Sequence, residues 1–395
     1  MWLAVSPASS HMGNNSGTAA SEGMEARLRS MPAGRSVAFG MAALIVAYWV
    51  VYALRWRQTG WDFPVFYIAA CLPTHALYSR AAFEAYFQQH LAPLGVAHWA
   101  RFVRLPVFSL LLRPMSAIDY TRAMWAWMAA GLGAYLASIA ILIRRFHLPV
   151  ALLPAFIVFY PAIVGLISGQ DNCLFLLAVL AGWRLLEQKR DTLAGFAFAL
   201  CLYKFNLTVL IPPLLLLQNR YRALTSFAIG AASIAGVSFA ITPLRTYTTA
   251  LIEVPKETAG FFPFGLRGLS LVIGQQWCYA VLVGVVLVLC CWLMRRLPLT
   301  EALCVAVTGT LLIVPYVTWY DSTLLVLPLA FLYARGSSRI RLACIGVLLA
   351  SALWRILPTH VGAEFFVLAY FGRAIREPTD VAQLHPAPPA VAASR

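Results

Sequence analysis

The residues best suited to chemistry in this chain are a few charged side chains set among apolar and aromatic neighbours. Asp62 stands in Trp61-Asp62-Phe63-Pro64, in a stretch whose one other carboxylate before residue 119 is Glu84. A carboxylate partly shielded from water can take the proton of an acceptor hydroxyl held within hydrogen-bond reach. It could equally be a loop acid paired with one of the arginines nearby. Lys204 lies in Tyr203-Lys204-Phe205-Asn206, inside an apolar stretch. A charge placed there costs on the order of 2.5–3.5 kcal/mol on insertion and needs a compensating partner. A phosphate suits the ammonium as a point-charge contact, whereas a plain structural lysine would snorkel to the headgroups.

Three further groups have the right types. Gly169-Gln170-Asp171-Asn172 falls at a helix junction, where a helix starting at Asn172 aims free N–H groups at an anion or a sugar hydroxyl; a small polar turn is expected there in any case. Pro315-Tyr316 and Trp319-Tyr320-Asp321 close another apolar segment, where the aromatics could be a membrane-interface belt and Asp321 an N-cap for 322–334. Arginines at 80, 101, 104 and 113, with Arg245, Lys256 and Arg267 further on, could form an electropositive floor for a lipid phosphate or simply touch headgroups. The chain has no Walker motif, no dinucleotide fingerprint, no HExxH and no CxxC, so nucleotide and zinc chemistry lack support and no metal or cofactor is expected. Its eight cysteines mostly sit in apolar segments, as small packing residues do.

The elements that must position these groups are membrane helices. At 395 residues, 61% hydrophobic and 11% charged, the chain carries less than half of the roughly 25% charge usual in soluble domains. Its net charge of +15 is spread over short loops between apolar segments, which is a topology signal and not a nucleic-acid surface. Apolar segments recur from 37 to 372 without a long polar linker, so an all-α polytopic domain of about 10–12 spanning or partly spanning helices is expected there. Residues 1–36 read as a disordered tail and 373–395 as a second tail. Segment 192–217, with polar flanks at both ends and Pro212-Pro213 near one, must rise and return as a broken hairpin with Lys204 near its tip. Arg144-Arg145, Lys189-Arg190, Arg220, Arg222, Arg295-Arg296, Arg335, Arg339 and Arg341 sort to one side, while the turns at 169–171 and 318–321 hold no Lys or Arg. The positive-inside rule then puts both termini in the cytoplasm, and the long loops 55–119 and 243–276 on the extracytoplasmic face of the plasma (inner) membrane. Apolar pieces of the first loop, such as 105–112, are too short to span and should lie at the interface as amphipathic helices.

In order and spacing, Asp62-Phe63 with Tyr78 following, Gly169-Gln170, Tyr203-Lys204, Pro315-Tyr316 and Tyr320-Asp321 resemble the polyprenol-phosphate-dependent glycosyltransferases of family 87, of the membrane-embedded GT-C class. The resemblance runs over roughly 37–372. It implies an enzyme that moves a mannose-like hexose from a polyprenyl-phosphate donor to a lipid or glycan acceptor hydroxyl, with inversion and without nucleotide. It casts Asp62 as general base and Lys204, aided by Arg101 or Arg104, as the stabiliser of the leaving phosphate. Tyr78, Gln170, Asp171, Tyr316, Tyr320, Asp321 and Arg267 become substrate-binding candidates. Partners expected on this basis are the lipid-linked donor, the acceptor and membrane lipids, with no nucleic acid. A transporter or lipid flippase is the competing class, because a broken hairpin with a charged tip could also surround a solute; the sequence shows no repeated half of the kind that class favours.

Overall fold

A computed structural model describes residues 61–96, 101–257, 265–351 and 360–376, with Gly40 and Ala47 besides. The expected first span at 37–54, apart from those two residues, and the N-terminal tail lie outside the described residues, as do 377–395. Every described element is helical, as expected where lipid cannot satisfy backbone polar groups and each helix must satisfy its own.

The first long loop, expected at 55–119, is folded where it is described. Helix α1 (Phe63–Cys71) has Pro64 in its first turn, where a missing N–H costs nothing. In α2 (Arg80–His90) the N-cap Ser79 accepts from the Ala82 N–H at 3.3 Å, and α3 (Pro106–Leu112) opens on a proline. Together they bury Phe63, Phe66, Ile68, Phe83, Phe87, Phe102 and Phe108 against Tyr120 and Met124 of the next helix, a small core distinct from the main one. Only part of α3 turns inward: Phe108 and Leu112 are buried while Leu111 is 67% exposed.

Helix α4 (Tyr120–Phe146) starts where the Asp119 carboxylate accepts from the Arg122 N–H at 3.0 Å, and ends on Arg144 and Arg145, cations that suit the negative end of its dipole. Then α5 (Leu153–Ile157) and α6 (Tyr160–Ser168) meet at 51°, and α7 (Asn172–Glu187) follows the turn at Gly169. Helix α8 (Asp191–Leu200) runs into a 3-10 stretch, Cys201–Thr208, that breaks at Lys204 (φ −120°, ψ 57°). With α9 (Ile211–Leu217) the chain turns back by 114°, as polar flanks at both ends of this segment require. Against it packs α10 (Tyr221–Ile241), so closely that a Cβ on Gly195 would lie 2.2 Å from the Ala223 carbonyl oxygen.

The remaining described helices are α11 (Leu244–Glu257) and α12 (Gly265–Val272) in the second long loop, α13 (Gln276–Arg296), α14 (Leu299–Ile313), α15 (Val326–Arg335), α16 (Ser338–Ala350) and α17 (His360–Arg376). A 3-10 turn, Trp319–Leu325, joins α14 to α15. Helix α14 is buried continuously from Ala302 to Ile313, the mark of an interior helix. By length and composition α4, α10 and α13 can each cross a membrane, and the bent pairs α5/α6 and α8/α9 raise the number to five.

Candidate active site

Five separate stretches of chain converge: the residue before α1, the segment before α3, the turn between α6 and α7, the break at Lys204, and the turn after α14. The α6–α7 turn sets the frame. Gly169 closes α6 with φ +79°, and a Cβ there would sit 2.6 Å from the Cβ of Phe63, so only glycine lets the start of α1 approach. Asp62 donates its backbone N–H to the Ser168 carbonyl at 3.0 Å. The Trp127 indole of α4 donates to the Gly169 carbonyl at 2.8 Å and holds the turn from the other side.

Lys204 is the hub. It is 2% exposed, so the snorkelling alternative does not apply: its ammonium lies 2.6 Å from Asp321 Oδ1 and 3.3 Å from Asp171 Oδ1, and donates to Asn172 Oδ1. The Tyr320 ring lies 5.6 Å away on a further side. Its non-helical backbone is what turns the side chain inward at this level instead of along a helix face. Asp321 is not the N-cap of 322–334. It lies inside the 3-10 turn Trp319–Leu325, whose N-cap Thr318 donates through N and Oγ1 to Asp321 Oδ2 at 2.8 and 3.0 Å, which leaves the other carboxylate oxygen for Lys204.

Arg104 completes the electrostatics with an ion pair to Asp171 Oδ1 at 3.2 Å. Burial alone would raise the Asp171 carboxyl, but Arg104 and Lys204 hold it below the usual carboxylate value. As N-cap of α7, Asp171 makes no side-chain cap; its carboxylate turns to the two cations. Asp62 behaves oppositely. It has no ion pair among the described residues, and its buried Oδ2 has no hydrogen-bond partner. Burial pushes its carboxyl up to about 6, against the pull of the Gln170 side-chain hydrogen bond, Lys204 and Arg104, while Asp171 raises it further. Gln170 in turn donates to the Tyr320 hydroxyl at 3.1 Å. Asp62, Arg104, Gln170, Asp171, Lys204, Tyr320 and Asp321 therefore form one connected cluster.

The other expected residues stand around it. The Tyr78 hydroxyl donates to the Arg104 carbonyl at 2.6 Å, and Arg101 donates to the Tyr78 carbonyl at 3.2 Å while pairing with Glu253 at 3.3 Å. These two brace the 101–104 segment, Tyr78 through the backbone of Arg104 and not through its guanidinium. Tyr316 and Arg267 stack on each other at 4.7 Å, and the Tyr316 carbonyl accepts from Asn206, two residues past Lys204, at 3.2 Å. Arg245 lies on the exposed face of α11. Four contributors went unpredicted from sequence: Trp127; Asn172 as a lysine partner; Tyr203, whose hydroxyl donates to the Asp171 carbonyl at 3.2 Å; and Glu253. Only Asn172 and Tyr203, next to singled-out residues, carried a signal.

Among the described residues no group of three or more His, Cys, Asp or Glu could hold a metal ion. Compared with known proteins, the chain matches the family model described as glycosyltransferase family 87 (GT87) over residues 102–315, more than half of the 395. The matched stretch contains Arg104, Gln170, Asp171 and Lys204 and stops short of Asp62 and Tyr320. No curated protein and no solved structure gives a match.

Proposed function

As a member of glycosyltransferase family 87 the chain is a membrane glycosyltransferase, and we propose that it passes a hexose from a polyprenyl-phosphate donor to an acceptor hydroxyl on the extracytoplasmic face, with Asp62 as general base. The observation that carries this is a buried carboxylate with an unpartnered oxygen, held beside two cations that do not pair with it. A base must be able to accept a proton in the site, and a carboxyl raised to about 6 is ionised at neutral pH yet more basic than a solvated aspartate.

In this transfer the acceptor O–H proton goes to Asp62 as the acceptor oxygen bonds to the anomeric carbon. The bond from that carbon to the phosphate oxygen breaks on the opposite face, so the centre inverts and the electron pair leaves with the polyprenyl phosphate. The charge developing on that phosphate is the one the site must stabilise. Lys204 has three ammonium donors and three oxygen neighbours, so it acts on the phosphate first through space. Arg104 spends one guanidinium nitrogen on Asp171 and is the cation with donors left for direct contact. The uncapped first turn of α7 adds N–H groups on the same side. Gln170 and Tyr320 orient Asp62 and the sugar, and the Tyr316–Arg267 pair supplies a planar edge at the rim.

The test uses purified protein in detergent with a labelled polyprenyl-phosphate hexose and an envelope lipid extract as acceptor. Glycosylated product is expected with no sealed compartment present, which a transporter or flippase would not form. Full activity in Asp62→Asn would remove Asp62 as the base.

A further inference from the structure

A second polar cluster lies at the far ends of α4 and α7. Tyr120, at the start of α4, packs on Phe63 next to Asp62 at 5.5 Å between rings. The helix then runs 27 residues, about 40 Å at 1.5 Å per residue. At its other end Ile141, Arg144, Arg145, His147 and Arg184 line a cavity of about 330 Å³. This place is separate from the candidate active site and has no part in the proposed transfer.

Its charges are arranged, not scattered. Glu187 on the last turn of α7 accepts from Arg145 through Nε at 3.0 Å and Nη2 at 2.8 Å, and also accepts from Arg184. One carboxylate thus holds two guanidiniums side by side, and Glu301 adds negative charge near Arg145. Arg184 is further fixed over the Trp183 ring at 5.9 Å. Arg144 and His147 make no side-chain hydrogen bond or ion pair among the described residues, yet both line the cavity. Two oriented guanidinium forks, a third unpaired arginine and an imidazole make a donor set for a tetrahedral oxyanion. The cavity opens at the end of α4, a helix long and apolar enough to cross a membrane, and the end of such a span is where lipid headgroups lie. Leu132 and Leu136 on the same helix are 46% and 45% exposed, giving an apolar surface suited to acyl chains.

We propose that the cavity lined by Ile141, Arg144, Arg145, His147 and Arg184 binds the phosphate of an anionic phospholipid headgroup. Basic pockets between membrane helices recognise such headgroups through the same charges.

The test is lipid retention by the full-length protein in nanodiscs or detergent, read by native mass spectrometry with phosphatidylglycerol, phosphatidylcholine and inorganic phosphate as separate probes. Phosphatidylglycerol is expected to be retained in preference to phosphatidylcholine, and that preference to fall as salt rises. Combining Arg144→Gln with His147→Asn should weaken retention roughly five-fold or more. Asparagine is chosen because His147 has φ +52°, a conformation asparagine tolerates. Arg295→Gln, an exposed cation at the end of α13, should change nothing. Sugar transfer in the double variant should match the parent, which also reports folding. Equal retention of the two lipids, equal weakening by Arg295→Gln, or a double variant that folds and binds as the parent does would overturn the proposal. Inorganic phosphate binding as tightly as phosphatidylglycerol would make this a free-anion site and sink the lipid assignment.

Discussion

If Asp62 is the base, pH should move activity and stability in opposite directions about one midpoint. Its carboxyl is raised from 3.8 to about 6 in the fold, first by burial. The stability that this raised value contributes is fully present below 3.8 and is lost as pH rises through about 6. At pH 7 the ionised group therefore weighs against the folded state by about 3 kcal/mol. Asp62→Asn removes that burden, so the variant should be more heat-stable than the parent near pH 7, with the gap closing toward pH 4. Transfer has the reverse requirement, because only the ionised carboxylate accepts a proton. With a midpoint near 6, the ionised fraction is about one-tenth at pH 5 and about nine-tenths at pH 7, so kcat/KM should climb roughly ten-fold between them. Lys204→Gln should move the limb to higher pH, since Lys204 is one of the charges that lowers Asp62. The assays are initial rates with labelled donor and thermal unfolding in detergent over the same buffers. A rate that is flat from pH 5 to 7 with chemistry limiting, or an Asn variant no more stable at either end, would refute the assignment.

Three other outcomes follow from the same geometry. Lys204→Met strips Asp171 and Asp321 of their shared ammonium and should cost about 3–5 kcal/mol of stability; adding Asp321→Asn should recover part of it, and a double-mutant cycle by thermal unfolding reads the coupling. Gly169→Ala forces a side chain into φ +79° and onto Phe63, and should lower stability by at least about 1–2 kcal/mol while cutting the transfer rate at least ten-fold by moving Asp62. Glu364 on α17 is fully buried, and neither carboxylate oxygen has a hydrogen-bond partner among the described residues, so Glu364→Met should be neutral or stabilising by about 1–3 kcal/mol, as a shift in melting temperature.

Much of this was legible in the sequence because membrane burial leaves strong marks. An ammonium at Lys204 between polar flanks announced both the broken hairpin and a buried partner, and the 114° turn with its two carboxylates is the physical answer to that cost. Asp62 was conspicuous for the scarcity of acids around it. What the sequence did not carry was pairing across distance. Arg104 meets Asp171 67 positions away and Arg101 meets Glu253 152 positions away; Asp171 stood out in its turn and Glu253 did not, but no local pattern joins either acid to its arginine. The first loop was expected as short amphipathic helices; what the sequence did not show is that its phenylalanines pack a core with α4 and α11, because aromatics from three short helices bury more area together than singly. Asp321 looked like an N-cap because aspartate favours that place, but it lies within a 3-10 turn capped by Thr318, which binds one carboxylate oxygen and leaves the other for the lysine.

The cluster's charge count ties these features together. Arg104 and Lys204 bring two positive charges; Asp62, Asp171 and Asp321 bring three acids. With little water to screen them, the site is neutral only when one acid keeps a proton; burial raises the carboxyl of Asp62, which has no ion pair among the described residues, while Arg104 and Lys204 hold that of Asp171 down. In the proposed transfer, a donor phosphate entering this site would add negative charge beside Asp62 and so make the carboxylate a stronger base while the donor is bound. The same phosphate competes with Asp171 for Arg104, and a guanidinium with several free donors can serve both. In the proposed transfer the proton that Asp62 gains from the acceptor appears as the bond to phosphate breaks. The negative charge thus passes from the carboxylate to the departing phosphate, next to the cations that can hold it.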